Sequence, residues 1–420
     1  MKKLFFSITF LLLTGMLFAQ NFDLSAELRP RFESKHGYKA LSTKDADAAN
    51  FISQRTRLNF DYSQSKVKAH VTLQNVRVWG EASTLSPADK ANSFHEAWAE
   101  AKLNSKWSLK MGRQEIVYDD HRIFGNVGWA QQARSHDAFL VKFMPMKGHR
   151  LDLGFALNAD SQAGVKKPYS NAAGYKNFQY AWYHGNFGGL GLSVLALNTG
   201  FENTDANGDP VIDNMQTIGP RLTYKMGALS ANAAAYFQTG KNVYDVASSY
   251  FAADLGYKLG MGLKLGVGFE QLSGKDMGST DTKITSFAPL FGTNHKFNGW
   301  MDYFYVGNHA NSVGLTDIYG SVVYKKNKFS AKVIPHLFSA AADVLNTNGE
   351  KMDKNLGTEI DIALGYKLSS SVSFSAGYSQ MLATETMEVL RGGDKDANNR
   401  WIWAMFVFKP SLFSFFPHTH

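Results

Sequence analysis

Side chains that could bind an acidic solute without reacting with it are concentrated between residues 107 and 143. A polar connection in this stretch carries Arg113, Glu115, Asp119, Asp120, Arg122, Trp129, Gln131, Gln132 and Arg134. A guanidinium group binds a carboxylate through two parallel hydrogen bonds, a geometry that a lysine ammonium does not offer. An aromatic ring beside amide donors suits the face of a sugar ring. These residue types indicate noncovalent recognition of a carboxylated solute.

Arginine pairs spaced two residues apart extend this set toward the N-terminus. In a β-strand, residues at i and i+2 point to the same face, so each pair would face one lumen. We predict an anion-selective lane made of Arg29, Arg31, Arg55, Arg57, Arg113, Arg122 and Arg134. Exchanging Arg113 and Arg134 for glutamate would then shift ion preference toward cations. A second segment, residues 287–304, is too aromatic for a free outer loop, so we expect it to pack in the mouth of the barrel or to fold inward. Its His295 and Lys296 are candidates for the same lane.

A structural interpretation of the same side chains stays open. The arginines would then pair with carboxylates and hold a hydrated lumen together, and the available carboxylates are Glu27, Glu33, Asp61, Glu96 and Glu100. Trp129 would likewise pin an inward-folded loop against the wall. In either case we expect residues 114–134 to fold into or over the lumen, because long, highly polar loops of this kind are usually functional.

Several patterns that resemble catalytic or metal sites are better explained otherwise. Residues 135–137 read Ser-His-Asp, but consecutive strand residues point to opposite faces and cannot form a triad. Residues 119–121 could bind a cation, although ion pairing with Arg122 and Arg113 is the commoner outcome. Residues 205–209 resemble a calcium loop only loosely and are interpreted as a turn. The histidines of 418–420 would bind a transition metal weakly at most. We predict no catalytic residue, metal site or cofactor.

The elements that must position these side chains are strands. Polar and apolar residues alternate in segments of about ten residues along the whole chain, each segment ending in a turn. Glu27 and Arg29 alternate with Ala26 and Leu28, for example, and Arg57 follows Thr56. Aromatic residues cluster at the segment ends, as they do in the interfacial girdles of membrane barrels. The pattern predicts an all-β fold, a transmembrane antiparallel β-barrel of about 18 strands without a plug domain.

The lengths of the connections predict which end of the barrel faces the periplasm and which faces the outside of the cell. Short turns are expected at 188–189 and near Gly227 and Gly260. Long connections are expected at 80–92, 160–176, 200–214, 274–300, 349–355 and 383–399. In outer-membrane barrels the short turns are periplasmic and the long loops extracellular. The closing strand, residues 400–409, ends near Phe406 and Phe408, a pattern that the barrel-assembly machinery commonly reads, and a tail of residues 410–420 follows.

The start of the chain and its composition agree with export to the outer membrane. Residues 1–19 have two lysines, an apolar core and Leu-Phe-Ala before Gln20, which is typical of a cleaved signal peptide. Residues 20–420 would form the barrel. The chain has no cysteine, so disulfides and thiolate metal sites are excluded, and its net charge of +8 favours anionic partners. After the signal, no apolar run approaches the roughly 20 residues of a membrane helix.

Four motifs resemble the alginate export family of outer-membrane proteins: GRQE at 112–115, YDDHRIFG at 118–125, Trp129-x-Gln131-Gln132, and ARSHDA at 133–138. QRTRLNFD at 54–61 and TNHKF at 293–297 are similar to family segments as well. The resemblance implies a monomeric 18-stranded barrel in the bacterial outer membrane, with an arginine-rich constriction that passes an anionic polysaccharide outward.

We therefore expect a passive pore for an acidic polysaccharide, such as alginate or a similar polyuronate, or for small anions. The expected partners are that solute, outer-membrane lipid and the barrel-assembly machinery, and no nucleic acid. A general diffusion porin is the alternative, and measured ion selectivity would separate the two. A barrel hydrolase would need a triad at the rim, which the sequence does not supply.

Overall fold

A computed structural model describes residues 20–86, 91–165 and 167–416. The predicted signal peptide and residues 418–420 lie outside this part. None of the helices in the described residues is long and apolar enough to cross a bilayer.

Eighteen antiparallel strands form a closed barrel, as predicted. Each strand pairs with its neighbours in sequence, and β18 pairs with β1 to close the sheet. The strands are β1 Gln20–His36, β2 Ala49–Gln64, β3 Val67–Val78, β4 Asn92–Lys102, β5 Trp107–Gln114, β6 His136–Phe143, β7 His149–Leu157, β8 Asn177–Phe187, β9 Leu190–Thr204, β10 Pro210–Met226, β11 Leu229–Asn242, β12 Tyr244–Gly260, β13 Leu263–Leu272, β14 Leu315–Lys326, β15 Phe329–Ser339, β16 Asn355–Lys367, β17 Val372–Ala383 and β18 Arg400–Phe408.

The alternation of the sequence becomes two faces of one wall. On β1, Arg29 and Arg31 point inward and are 6% and 5% exposed, whereas Leu28 and Phe32 point outward and are 38% and 39% exposed. An outward arginine at mid-membrane would cost ~2–4 kcal/mol, so only one register of each strand is compatible with lipid. The apolar outer face and the polar lumen follow from that cost.

The described part of the tail, residues 410–416, continues the closing strand. After Lys409 and Pro410 the chain resumes as β19 (Ser411–Phe415), which pairs with β1 alone. Proline has no amide hydrogen to give to a ladder, which explains the break at this point. The carbonyl of Pro410 still accepts the amide of Ala26 at 3.1 Å.

The turns at 188–189, 227–228 and 261–262 are short, as predicted. One predicted long loop is wrong. Residues 200–214 belong mostly to β9 and β10, which pair from Thr204 and Pro210 onward and leave only 205–209 as a turn. Val211 and Ile212 favour strand, and Asp205 closes the turn by accepting the amides of Asn207 and Asp209 at 2.9 Å.

The large connections all lie at the other end of the barrel. The longest are residues 115–135, here called the first inward loop, and residues 273–314, the second inward loop, which is longer than the predicted 274–300. The connection 384–399 contains a short helix, α1 (Glu385–Arg391), whose N-terminus is capped by Thr384. This helix was not predicted.

Candidate functional site

The first inward loop crosses the lumen and contacts widely separated strands. Gln131 accepts from Arg29 of β1 at 3.0 Å, and Asp119 accepts from Trp182 of β8 at 3.0 Å. Asp120 pairs with Arg221 of β10 at 2.5 Å. These contacts correct the prediction that the two aspartates pair with Arg113 and Arg122. The loop therefore lies inside the barrel.

The two inward loops hold each other through their backbones. Thr293 donates its amide to the carbonyl of His121 at 2.9 Å, and Gly125 donates to the carbonyl of Phe291 at 2.9 Å. The ring of Phe124 packs against Phe291 with centroids 5.3 Å apart. Because a buried backbone group without a partner is costly, each loop stabilises the inward path of the other.

The arginines of β1 are used to anchor the first inward loop. Arg29 donates to the carbonyls of Gly128, Trp129 and Ala130 at 2.8 to 3.1 Å, in addition to Gln131. Arg31 pairs with Glu33 at 2.9 Å and donates to the carbonyl of Trp129 at 2.7 Å. Guanidinium groups so occupied have little capacity left for a passing solute.

The arginines of β2 are divided between pairing and an amide contact. Arg55 forms an ion pair with Glu27 at 2.5 Å, as the structural interpretation predicted. Arg57 donates to Gln74 at 2.8 Å, and one of its terminal nitrogens has no hydrogen-bond partner among the described residues. One terminal nitrogen of Arg55 likewise has no hydrogen-bond partner among the described residues, so both arginines retain a donor.

Arg122 is the most deeply buried of the seven, at 1% exposure. It pairs with Glu270 at 3.2 Å and donates to Asn298 at 2.9 Å, and its guanidinium lies 4.5 Å from the ring centroid of Phe297. Burial by itself would lower its pKa, but the acidic groups around it, of which the Glu270 carboxylate acts most strongly, together raise it. Arg122 thus ties the first inward loop to β13 and to the second inward loop.

Replacing Arg122 with methionine should lower the free energy of unfolding by about 3–5 kcal/mol, because Glu270 would be left buried and unpaired. Urea unfolding of protein refolded into lipid vesicles would measure the loss. The matched double variant Arg122→Met/Glu270→Gln, which removes both charges, should lose less. Equal losses in the two variants would show that the ion pair is not the reason for the stability of this contact.

Arg113 and Arg134 lie apart from the other arginines, beside a cleft at the loop end of β5 and β6. Arg113 is half exposed and pairs with Asp137 at 2.9 Å. Arg134 donates to the carbonyl of Gly292 at 3.0 Å, and burial lowers its pKa below the usual range. The structure thus does not bring the seven arginines together into one lane.

Trp129 is packed among the side chains of several elements. The guanidinium of Arg31 lies 4.2 Å from its centroid, and the imidazole of His295 stacks at 5.0 Å. Trp401 and Trp403 meet it edge-on, with centroids 5.6 and 4.8 Å away. This geometry matches the interpretation in which Trp129 pins the loop to the wall.

The predicted amides and Glu115 also support the loop. Gln131 is buried and donates to Ser53 at 3.0 Å, while the carbonyl of Gln132 accepts from Gln74 at 3.0 Å. Glu115 accepts from Asn126 at 2.7 Å. These side chains and carbonyls hold the segment in place.

Glu115 is also part of the group that comes nearest to a metal site. Its ligand atoms lie within 4.8 Å of those of His95 and Glu96. His95 already contacts Glu115 at 2.8 Å, and Glu96 accepts the Glu115 amide at 3.0 Å. These mutual hydrogen bonds account for the cluster without an ion.

Two adjoining cavities remain open where the inward loops meet the wall. The tryptophan cavity, of about 420 Å³, is lined by Trp129, Trp300, Trp401 and Trp403, together with His121 and His295. The acidic cavity, of about 220 Å³, is lined by Asp120, Asp254, Glu270 and Asp317, together with Arg221. Lys296, Trp300 and Lys332 line both cavities. We call these three residues the eyelet.

The second inward loop supplies Lys296 and Trp300 to the eyelet, and β15 supplies Lys332. Glu359 of β16 accepts the amides of Trp300 and Met301 at 2.5 and 2.8 Å, which fixes the loop beside the wall. Gly299 precedes this contact at φ +80°, where a Cβ would lie 2.6 Å from the Glu359 carboxylate. Glycine is required here both for the backbone angle and for the close approach.

Lysines occupy the eyelet without ion pairs. Neither Lys296 nor Lys332 has a carboxylate within 4.0 Å in the part of the chain that the structure describes. Lys296 donates instead to the carbonyl of Asp120 at 2.8 Å, and Lys332 lies 5.3 Å from the ring centroid of Trp300. Protein surrounding Lys296 lowers its pKa below the usual range, a shift that Asp120 opposes.

Sequence reasoning singled out Lys296 but missed Lys332 and Trp300. Lys332 is an isolated lysine in a strand of ordinary alternation. The alternation along the strand was the one available signal: Val333 points outward and is 37% exposed, so its neighbour Lys332 points inward. Nothing in the sequence around Lys332 indicated that Trp300 of the second inward loop would lie beside it.

Comparisons with known proteins agree with this architecture. The family model described as alginate export matches residues 20–402. Outer membrane protein opdK from Pseudomonas aeruginosa is similar in structure, with a TM-score of 0.62 and 12% identity over 93% of this chain and 98% of that one. A BenF-like porin from Pseudomonas fluorescens gives a TM-score of 0.59 and 15% identity over 93% and 99%. No curated protein matches the chain.

At such low identity the solved structures establish the fold alone, which is that of outer-membrane porins. The match to the family model covers nearly the whole barrel and so establishes more. The family and the fold are those of transport pores, and they place the protein in the bacterial outer membrane. The chain belongs to the alginate export family.

Proposed function

We propose that this outer-membrane pore passes anionic solutes by passive diffusion, and that an acidic polysaccharide such as a polyuronate is its substrate. The observation that carries the proposal is the eyelet, in which two lysines that form no ion pair with any described residue flank a tryptophan. Fixed positive charges in a narrow, partly desolvated lumen attract carboxylates and repel cations more strongly than exposed charges do.

The rings around the eyelet support a sugar as the neutral part of the solute. Trp300 is half-buried and lines both cavities. In this proposal Trp300, and not Trp129, provides the aromatic face that stacks on a sugar ring. Arg55 and Arg57 each retain an unpartnered nitrogen among the described residues and would add to the positive wall. The remaining arginines contribute charge and hold the loops.

Planar bilayer recordings test this proposal. In a potassium chloride gradient the reversal potential should show that chloride is favoured over potassium. Oligouronates added to one side should interrupt the current at concentrations where neutral oligosaccharides of the same length do not. Equal block by charged and neutral oligosaccharides, or cation preference, would contradict the proposal.

The second candidate is a general diffusion porin, which the acidic cavity favours. Glu270 and Asp317 are engaged with Arg122 and His336, whereas Asp254 accepts from the amide of Asn232 at 2.8 Å and forms no ion pair among the described residues. A lumen with lysines on one side and an aspartate on the other would discriminate weakly between ions. A permeability ratio near one, with no block by oligouronate, would support this candidate.

The anion preference should decline with rising pH, and it should do so below the ordinary lysine pKa of about 10.4. Lys296 is charged below its lowered pKa and loses its charge as pH rises through that value. Reversal potentials between pH 7 and 10 would measure the decline. The double variant Lys296→Arg/Lys332→Arg should keep its preference over this range, because guanidinium stays protonated. If the anion preference of the variant declines as much as that of the parent, groups other than these two lysines cause the decline.

A further inference from the structure

We propose that the cleft beside the lumen is a binding site for a carboxylate attached to a ring. This side cleft has a volume of about 290 Å³ and lies at the loop end of β5 and β6. Its lining includes Arg113, Arg134, His136, Tyr175 and Phe291, and none of these residues lines the eyelet cavities. It is therefore a separate site.

The charge of the side cleft comes from two arginines in different situations. Arg134 is largely surrounded by protein, donates one bond to the carbonyl of Gly292, and forms no ion pair among the described residues. Arg113 pairs with Asp137 at 2.9 Å, and both members of that pair are exposed. Arg134 thus presents an uncompensated cation with several donors left, while Arg113 and Asp137 form an exposed ion pair in the lining.

The floor of the side cleft is aromatic. Tyr175 is 2% exposed and Phe291 is 6% exposed, with ring centroids 5.1 Å apart. His136 contacts both rings, and its Nδ1 lies 3.0 Å from the hydroxyl of Tyr175. The buried Nε2 of His136 has no hydrogen-bond partner in the described residues. Such a floor accepts a flat or puckered ring and offers one polar contact at its base.

Size and chemistry limit the ligand. Pockets for drug-sized ligands usually measure roughly 300–1,000 Å³, so a cleft at the lower bound holds about one ring rather than an oligomer. A carboxylate on that ring would form charge-assisted hydrogen bonds with Arg134. Two sources share this chemistry, a terminal acidic sugar residue and a free aromatic carboxylate.

One segment of the second inward loop lines both the side cleft and the tryptophan cavity. Residues 290–296 supply Leu290 and Phe291 to the cleft, and Thr293, His295 and Lys296 to the tryptophan cavity. A solute held in the cleft would therefore be separated from the eyelet by one segment of chain. This consequence for transport rests on the proposed function, whereas binding in the cleft does not.

Isothermal titration of the full-length protein in detergent tests the site with three probes: benzoate, glucuronate and the neutral isostere benzamide. We expect saturable binding of benzoate or glucuronate and at least tenfold weaker binding of benzamide. Tighter binding of glucuronate would identify the ligand as a terminal acidic sugar residue, and tighter binding of benzoate would identify it as a free aromatic carboxylate. Absence of binding by both carboxylates, or equal binding of benzamide, would overturn the proposal.

Variants locate the binding. Arg134→Gln should weaken carboxylate binding at least tenfold, and Arg134→Lys should restore part of it. Tyr175→Leu should weaken binding of the ring without abolishing the preference for carboxylate. Lys332→Gln should leave the binding of benzoate unchanged while it alters ion preference in bilayers. If Lys332→Gln abolishes binding and Arg134→Gln does not, the ligand occupies the eyelet and the side-cleft site is refuted, whatever the bilayer selectivity shows.

Discussion

Replacing Lys296 and Lys332 with glutamate should turn an anion-preferring pore into a cation-preferring one. The two lysines line the point that both cavities share, and the exchange replaces two positive charges by two negative ones. At an effective dielectric constant of about 20, the Coulomb energy between one fixed charge and an ion ~8 Å away is ~2 kcal/mol. A free-energy difference of ~1.4 kcal/mol changes an equilibrium constant by a factor of ten. We expect the chloride-to-potassium permeability ratio to change more than tenfold, measured as the reversal potential in a salt gradient.

Two further variants show whether the effect belongs to the eyelet. Lys296→Gln/Lys332→Gln should weaken the preference without reversing it. Arg113→Glu/Arg134→Glu should shift it less than the eyelet exchange, because these arginines lie beside the side cleft and Arg113 is already paired with Asp137. If the arginine variant reverses selectivity and the lysine variant does not, the lane runs along the arginines as the sequence suggested.

Replacing residues 119–130 with a short glycine-serine linker should raise the single-channel conductance severalfold. These residues lie inside the barrel and bridge β1, β8 and β10 through Arg29, Trp182 and Arg221. A barrel of 18 strands without such a segment encloses a wide aqueous channel. Conductance in planar bilayers measures the change, and shortening the external turn 205–209 is the matched control that should leave it unaltered.

A milder variant keeps this prediction testable if the deletion disturbs folding. Arg29→Ala removes the donors to Gly128, Trp129 and Ala130 but leaves every loop residue in place. We expect excess current noise, because the first inward loop would lose its anchor on β1. Unchanged conductance in the deletion, together with quiet currents in Arg29→Ala, would mean that the loop lies outside the permeation path.

The sequence by itself determined the barrel, its strand number and the polarity of its two faces. These properties depend on a local rule, the period of two along a strand, and on the cost of a charge in lipid. The inward direction of Arg29, Arg31, Arg55 and Arg57 followed from that rule alone. That residues 287–304 would not extend freely into solvent was also predictable, because so many aromatic rings do not remain in water.

Only the tertiary structure decided which cations are free to meet a solute. Arg122 pairs with Glu270, which is 148 positions away, and Arg29 is occupied by carbonyls about 100 positions away. No spacing rule connects such partners, since they meet only when the barrel closes and the inward loops cross it. Lys332 shows the converse, because an inconspicuous lysine of β15 lies beside Trp300 once Glu359 fixes the second inward loop. Partners distant in sequence decide whether a charge is paired, whereas local alternation decides only which way it points.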